Sequence, residues 1–299
     1  MKHFKNQKKL FVFLLIIISA FCMFACGNSH DEDEKGLSQP QQSESAMTTE
    51  SVPDTNQPTI PDIETGMITE QILSGKEGEI HYSYYWPENC DENKDYPLMM
   101  AMPGYDMMWF GEESSGSNLD WIGFRVWTEL PEDMIVVSAQ LTDWHEKSAR
   151  QAVELTEYFI QNFSVDKNRV YAAGYSAGGE TMSQAVALRP DLYAAYLHGA
   201  SQWDGAFDPI AENDVAVYIF MAENDEYYGS QKARDVYGGL RNAYESAGWS
   251  AEQIDEVLQV EIPDNEYFNS RGIYNYHGGG NILFEDETIL KWVISHKKE

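Results

Sequence analysis

Short apolar runs alternate with amphipathic stretches from residue 96 onward. The runs are rich in β-branched and aromatic residues and have the length of buried strands; they lie at 96–102, 134–138, 169–173, 194–198, 215–221 and 257–262. Between and after them, apolar residues recur on one face of a helix over 148–162, 179–188, 232–247 and 288–295. This alternation predicts an α/β fold, in which helices cover both faces of a mostly parallel sheet.

One strand-to-helix junction carries the pattern Gly-x-Ser-x-Gly. Residues 174–178 are Gly-Tyr-Ser-Ala-Gly, and they join the apolar run at 169–173 to the predicted helix at 179–188. This context is typical of a nucleophile elbow, a sharp turn that presents a serine, here Ser176, over a helix N-terminus. The alternative is an ordinary turn whose serine caps the helix.

A serine hydroxyl becomes a nucleophile only when a base takes its proton, and with this motif the acid and then the histidine follow the serine. Three histidines follow Ser176. His198 lies too early, within a predicted strand, and His296 lies at the end of the last predicted helix, where we expect a solvated side chain. His277 follows a strand-like segment at 272–276 and precedes three glycines. We therefore predict that His277 is the base. The alternative is that His277 is simply a histidine of a surface loop.

The acid is expected after the strand at 215–221, the strongest strand signal between the serine and the histidine. Asp225 lies in the turn that follows this run. We expect its carboxylate to orient the imidazole and to stabilise the imidazolium. Glu223 and Glu226 lie in the same turn and remain alternatives.

Acyl transfer also needs donors for the oxyanion and a surface for the substrate. The predicted donors are the backbone N–H groups of Ala177, which follows the serine, and of Tyr105, which follows the first predicted strand. Ligands of open parallel sheets bind beyond the carboxyl ends of the strands. We expect substrate contacts there from Trp109, Trp144 and Trp203; the alternative is that these rings pack the loops onto the sheet.

These features together resemble the α/β-hydrolase superfamily, and within it secreted esterases related to polyhydroxybutyrate depolymerases and to feruloyl or acetyl-xylan esterases. The resemblance covers residues 66–297 and rests on 82–87 leading to 96–98, on Pro103-Gly104, on 165–179 and on 277–279. Pro103-Gly104 departs from the family, whose oxyanion loop usually begins His-Gly.

The resemblance implies a serine esterase that cleaves acyl or feruloyl esters of carbohydrates, or other small esters, through an acyl-enzyme. Prolyl-oligopeptidase-type peptidases share the elbow and the triad, so a serine peptidase is the second interpretation. A non-catalytic protein that binds carbohydrate or a protein partner is the third.

Residues 1–65 differ in composition from the rest. Residues 1–25 combine four lysines with an apolar run, which is typical of a signal peptide. Met23–Cys26 resembles a bacterial lipobox, which implies that Cys26 carries lipid; ordinary secretory cleavage and an uncleaved anchor are the alternatives. Residues 26–65 are polar and predict a disordered linker, and 66–299 form the predicted catalytic domain. We therefore expect an exported lipoprotein anchored to the membrane at the bacterial cell surface.

The formal charge of −29 at pH 7 disfavours nucleic acid, whose phosphates attract basic surfaces. The sequence has no basic stripe, no metal-ligand spacing and no phosphate-binding glycine loop, so we expect neither a cofactor nor a metal. Cys90 would be the one cysteine left beside a lipidated Cys26, and no intrachain disulfide is expected. A neutral polysaccharide or a small ester is a substrate compatible with this negative charge.

Overall fold

The computed structural model describes residues 65–88, 90–91, 93–108 and 117–299. Within them, eight strands form one sheet: β1 Gly66–Gly75, β2 Gly78–Trp86, β3 Tyr96–Met102, β4 Ile135–Gln140, β5 Val165–Tyr175, β6 Ala195–Gly199, β7 Ala216–Phe220 and β8 Leu258–Glu261. Their order in the sheet is β1-β2-β4-β3-β5-β6-β7-β8. The pairs that join β4, β3, β5, β6, β7 and β8 are parallel, so the predicted α/β architecture is confirmed.

Helices cover both faces of this sheet. Alternate residues of β3 point to opposite sides, with Leu98 and Met100 in one core cluster and Met99 and Ala101 in the other. The helices are α1 Ile122–Thr128, α2 Glu146–Asn162, α3 Ala177–Leu188, α4 Asp208–Glu212, α5 Gln231–Ser246, α6 Ala251–Val257, α7 Asn265–Asn269, α8 Tyr276–Gly279 and α9 Glu287–Ser295. The first cluster includes side chains of α2, α3 and α5, and the second includes side chains of α1 and α9.

The antiparallel edge formed by β1 and β2 was not among the predicted strands. The two strands pair with each other, and β2 also pairs antiparallel with β4. Along β2 the apolar side chains alternate, so that Ile80, Tyr82, Tyr84 and Trp86 are buried in the first cluster. Period-2 burial of this kind is typical of a strand with one covered face.

Two local expectations were wrong. Residues 272–276 form no strand; Gly272 has a φ of 74°, Tyr274 is 74% exposed, and α8 begins at Tyr276. A β-branched and aromatic composition makes a strand only beside a partner strand, and β8 ends the sheet before this segment.

His296 is not a solvated helix-end residue. Its ring packs 4.3 Å from the ring of Trp292, and burial lowers its pKa. The hydroxyl of Tyr171 donates to the carbonyl oxygens of Ile294 and His296, both at 3.0 Å. These bonds hold the end of α9 and His296 against β5, which explains why the imidazole is partly buried.

Over the described residues, no helix combines the length and the apolar character that a membrane crossing requires.

Candidate active site

Ser176 occupies the sharp turn between β5 and α3. Its φ of 53° and ψ of −125° lie in a region that side-chain-bearing residues rarely adopt. The strain is held in place because the Ser176 N–H donates to Gly199 O at 3.1 Å, and the Ser176 carbonyl accepts from Gly179 N at 2.8 Å and from Ser201 Oγ at 2.7 Å. Backbone strain that its surroundings impose in this way is a frequent property of functional sites.

Both glycines of the motif allow close backbone packing. A Cβ on Gly174 would lie 2.7 Å from Gly178 O, and a Cβ on Gly178 would lie 2.2 Å from Met102 O. These contacts place the start of α3 directly against the end of β3. The spacing of the motif therefore follows from the space available, because any larger residue would push these elements apart.

The structure brings the predicted serine, histidine and acid together. Ser176 Oγ lies 3.0 Å from His277 Nε2, and His277 Nδ1 lies 2.8 Å from Asp225 Oδ2. The three residues are separated by 101 and 52 positions along the chain. With Nδ1 protonated, Nε2 can accept the proton of the serine hydroxyl, which is the arrangement that general-base activation requires.

The Asp225 side chain is fully buried, but both oxygens of its carboxylate accept hydrogen bonds from the protein. Oδ2 faces His277, and Oδ1 accepts from the N–H groups of Tyr227 at 2.9 Å and Tyr228 at 2.8 Å. Burial by itself would raise the pKa of Asp225, but the hydrogen bonds from His277, Tyr228 and Tyr227 outweigh it, and the pKa is lowered. The carboxylate is therefore ionised at neutral pH and suited to stabilise an imidazolium.

The two rival acids lie elsewhere. Glu226 binds backbone N–H groups of the histidine loop, at 3.0 Å for Tyr276 and 2.7 Å for His277. Glu223 is exposed, and its N–H donates to Pro263 O. Neither carboxylate contacts the imidazole ring among the described residues.

The two predicted oxyanion donors flank the serine. Ala177 is the first residue of α3, so its N–H has no acceptor within the helix. Tyr105 begins a single 3-10 turn directly after Gly104. A Cβ on Gly104 would lie 3.4 Å from Ser176 Cβ, which places this loop against the nucleophile. The loop begins with Pro103-Gly104, where the esterases that the sequence resembles have His-Gly, and it nevertheless lies beside the serine.

A cavity of about 410 Å³ opens over Ser176 and His277. Trp144 lines it, and its ring packs edge-on at 5.7 Å against Tyr105. Trp203 does not line it; its ring packs against His198 at 5.3 Å and against Phe207 at 5.7 Å. Trp203 therefore fits the alternative interpretation of these tryptophans, in which the ring packs a loop onto the sheet. Two further predicted residues, Trp109 and Cys26, lie outside the described residues.

The aromatic wall also contains residues that were not predicted as substrate contacts. Tyr227 is 74% exposed, and its ring stacks at 5.3 Å on the His277 ring. Tyr228 and Trp121 line the same cavity. Aromatic residues beside a catalytic turn are visible in sequence, but which of them face the substrate depends on the turn geometry.

Glu180 is a further cavity residue that was not predicted from the sequence. It lies one turn into α3, is 6% exposed, and lines the cavity. The hydroxyl of Tyr228 donates to its Oε1, and Gln202 Nε2 donates to its Oε2 at 3.2 Å. Burial raises the pKa of Glu180 even though the bond from Tyr228 opposes this. Among the cavity residues that the structure describes, none is lysine or arginine.

His198 has a structural environment, in agreement with its exclusion as the base. It lies in β6, and its Nδ1 is 2.7 Å from the hydroxyl of Tyr196. Burial lowers the pKa of His198 to about 4, so the ring is neutral at physiological pH.

Comparison with known proteins supports the fold and the elbow. Residues 138–245, about a third of the chain, match the prolyl oligopeptidase family. Feruloyl esterase B of Thermothelomyces thermophilus is 29% identical over 169 residues, which cover 54% of this chain and 56% of that protein. The chain thus spans about half the length of this curated relative.

Solved structures with a similar fold include two esterases. A thermostable esterase has a TM-score of 0.65 and 17% identity, over 78% of this chain and 63% of its own. A mutant of the feruloyl esterase module from Clostridium thermocellum, complexed with sinapinate, has a TM-score of 0.51 and 11% identity, over 78% of this chain and 89% of its own. This sheet, its elbow and these likenesses show that the chain has the α/β-hydrolase fold.

Proposed function

We propose that the protein is a serine esterase that hydrolyses carboxylic esters through an acyl-enzyme. The observation that carries this proposal is the continuous line of hydrogen bonds from Ser176 Oγ through His277 to Asp225, at 3.0 and 2.8 Å. The cavity over Ser176 supports it, because a substrate carbonyl can approach the hydroxyl from the open side.

In the proposed reaction, Ser176 Oγ attacks the ester carbonyl carbon while His277 Nε2 takes the hydroxyl proton. The N–H groups of Ala177 and Tyr105 stabilise the resulting oxyanion. The C–O bond to the alcohol then breaks, and the imidazolium gives its proton to the departing alkoxide. Water, deprotonated by the same imidazole, attacks the acyl carbon, and the bond between that carbon and Ser176 Oγ breaks to release the acid. The imidazolium returns its proton to Ser176 Oγ, which restores the free serine. Throughout, the Asp225 carboxylate accepts a hydrogen bond from Nδ1–H and balances the imidazolium charge.

The proposed substrates are acyl or feruloyl esters of carbohydrates, or other small neutral esters. The name of the Thermothelomyces thermophilus relative, a feruloyl esterase, supports an aromatic acyl group. The cavity supports it independently, because the rings of Tyr105, Trp144 and Tyr227 offer flat apolar faces. The described lining has no lysine or arginine, so it disfavours esters that carry a carboxylate or phosphate close to the reacting carbonyl.

A serine peptidase is the second candidate, and the match to the prolyl oligopeptidase family favours it. The same three side chains could cleave a peptide bond, because His277 can protonate a departing amine. A panel of p-nitrophenyl esters, methyl ferulate and peptidyl p-nitroanilides separates the two candidates by their kcat/KM values. Ester turnover with no anilide cleavage supports the esterase, and the reverse supports the peptidase.

The replacement Ser176→Ala tests the proposal itself. It is expected to abolish turnover of p-nitrophenyl acetate and labelling by a fluorophosphonate probe, with thermal unfolding unchanged. A protein whose wild-type form takes no probe at Ser176 and hydrolyses no ester would instead fit the non-catalytic interpretation.

We further propose export as a lipoprotein, on the basis of the lysines, the apolar run and Cys26 in the N-terminal sequence. The variant Cys26→Ala is expected to move the protein from the membrane fraction of a bacterial host to the soluble exported fraction. Equal membrane association of the wild type and the variant would argue for an uncleaved anchor.

A further inference from the structure

Two consecutive carboxylates bind the same histidine. Asp225 accepts from the imidazole at Nδ1. Glu226 accepts from the backbone instead, with Oε1 3.0 Å from the N–H of Tyr276 and Oε2 2.7 Å from the N–H of His277. One residue therefore orients the ring, and the next fixes the peptide from which the ring projects.

The segment that carries the imidazole has little regular structure of its own. The α8 helix contains four residues, 276–279, and the residues before it include Gly272 with a φ of 74° and the exposed Tyr274. A helix this short cannot satisfy its first N–H groups internally. The position of the imidazole thus depends on contacts from outside the loop.

Two side chains from outside the loop make such contacts, and Asn275 caps α8 from within the loop. Glu226 holds the His277 N–H, and the hydroxyl of Tyr175 donates to the His277 carbonyl oxygen. The side chain of Asn275 accepts from the N–H of Gly278 at 2.8 Å. Glu226 is the only one of these three side chains that belongs to the acid turn. It therefore links the backbone of the base to the turn that carries the acid.

The Glu226 carboxylate accepts these bonds in its ionised form. Burial would raise the pKa of Glu226, but the bonds from the N–H groups of Tyr276 and His277 outweigh it, and the pKa is lowered. Hydrogen bonds to a charged acceptor are about twice as strong as neutral ones. The turn that presents this carboxylate is itself fixed, because Asp225 Oδ1 accepts from the next two N–H groups of the turn.

We propose that Glu226 is a positioning residue for the His277 imidazole. Without its carboxylate, the start of α8 loses two acceptors and moves relative to Asp225 and Ser176. A displacement of about 1 Å in a catalytic group costs on the order of 100-fold in rate. The inference rests on the proposed serine hydrolase function.

The test compares Glu226→Ala and Glu226→Gln with Glu223→Ala. The last variant is a matched control, since it removes the same charge from an exposed position of the same turn. We expect Glu226→Ala to lower kcat for p-nitrophenyl acetate about 10- to 100-fold, with KM changed less than about threefold. Glu226→Gln keeps the side-chain length but presents only one acceptor, so its kcat is expected to lie between that of Glu226→Ala and the wild type. Glu223→Ala is expected to match the wild type.

A second readout avoids the substrate altogether. The rate constant for fluorophosphonate labelling of Ser176 should fall in the same order as kcat, with thermal unfolding midpoints recorded for each protein. If Glu226→Ala and Glu226→Gln label at the wild-type rate and turn over as fast as Glu223→Ala, the inference is overturned while the proposed function stands. If the wild-type protein does not label, the proposed function fails before the variants are compared.

Discussion

Replacing Gly178 with alanine is expected to damage both catalysis and stability. Gly178 is the second residue of α3, and an added Cβ would lie 2.2 Å from Met102 O and 2.4 Å from Pro103 O. Both atoms belong to the backbone, so no side chain can rotate away. Either α3 or the chain at the end of β3 must move.

The size of the effect follows from these distances. Ordinary contacts of a Cβ begin near 3.4 Å, so relief requires a shift of about 1 Å between packed elements. Overpacking of this kind costs about 1–3 kcal/mol of the free energy of unfolding. The moving segment leads into Gly104, which lies against Ser176, so the oxyanion donors are displaced as well. A shift of about 1 Å there predicts a loss on the order of 100-fold in kcat/KM.

The assay measures ester turnover and thermal unfolding for Gly178→Ala beside the control Gly238→Ala. Gly238 lies within α5, and an added Cβ there meets no atom within 4 Å. The control should keep its turnover and gain about 0.5–1 kcal/mol of stability. For a domain of this size, the expected loss in Gly178→Ala lowers the unfolding midpoint by roughly 2–12 °C. Wild-type turnover and an unfolding midpoint equal to that of Gly238→Ala would refute the reasoning.

Substitutions of the catalytic acid, of two tryptophans and of a buried histidine test other features of the structure. Asp225→Asn should lower kcat about 10⁴-fold with little change in KM, because an amide no longer fixes the Nδ1–H tautomer of His277; a loss below tenfold in steady-state kinetics would contradict this role. Trp144→Ala should raise the KM for aromatic esters several-fold, whereas Trp203→Ala should cost about 3 kcal/mol of stability without altering KM, as measured by kinetics and urea unfolding. His198 is neutral in the folded protein, with a pKa of about 4, and its ordinary value is 6.5. Its contribution to stability is therefore complete above pH 6.5 and is lost as the pH falls from 6.5 towards 4, by a few kcal/mol; an identical pH dependence of unfolding in His198→Gln would exclude this.

The sequence by itself determined the parallel part of the sheet and the elbow. Strand β3 begins and ends where the apolar run at 96–102 predicts, and α2, α3 and α5 lie within two residues of their predicted bounds. These elements follow from local pattern, because burial on both faces requires continuous apolar runs and helix amphipathicity repeats every few residues. The elbow is equally local, since five adjacent residues define the turn.

The order of serine, acid and histidine also pointed to three residues that the structure brings within hydrogen-bonding distance. The order of residues along the chain did not distinguish Asp225 from Glu226. Both carboxylates lie in one turn, and only the turn geometry decides that one faces the ring and the other the backbone N–H groups.

Tertiary structure alone decided the surroundings of the site. Nothing in the composition of 272–276 shows that it lacks a partner strand, because pairing depends on where the sheet ends. The packing of Trp203 on His198, and the position of Glu180 in the cavity wall, depend on contacts between elements distant in sequence. Local patterns specify elements because their cause is local; a substrate wall is built from side chains of several loops, so its composition is fixed only when those loops are brought together over the sheet.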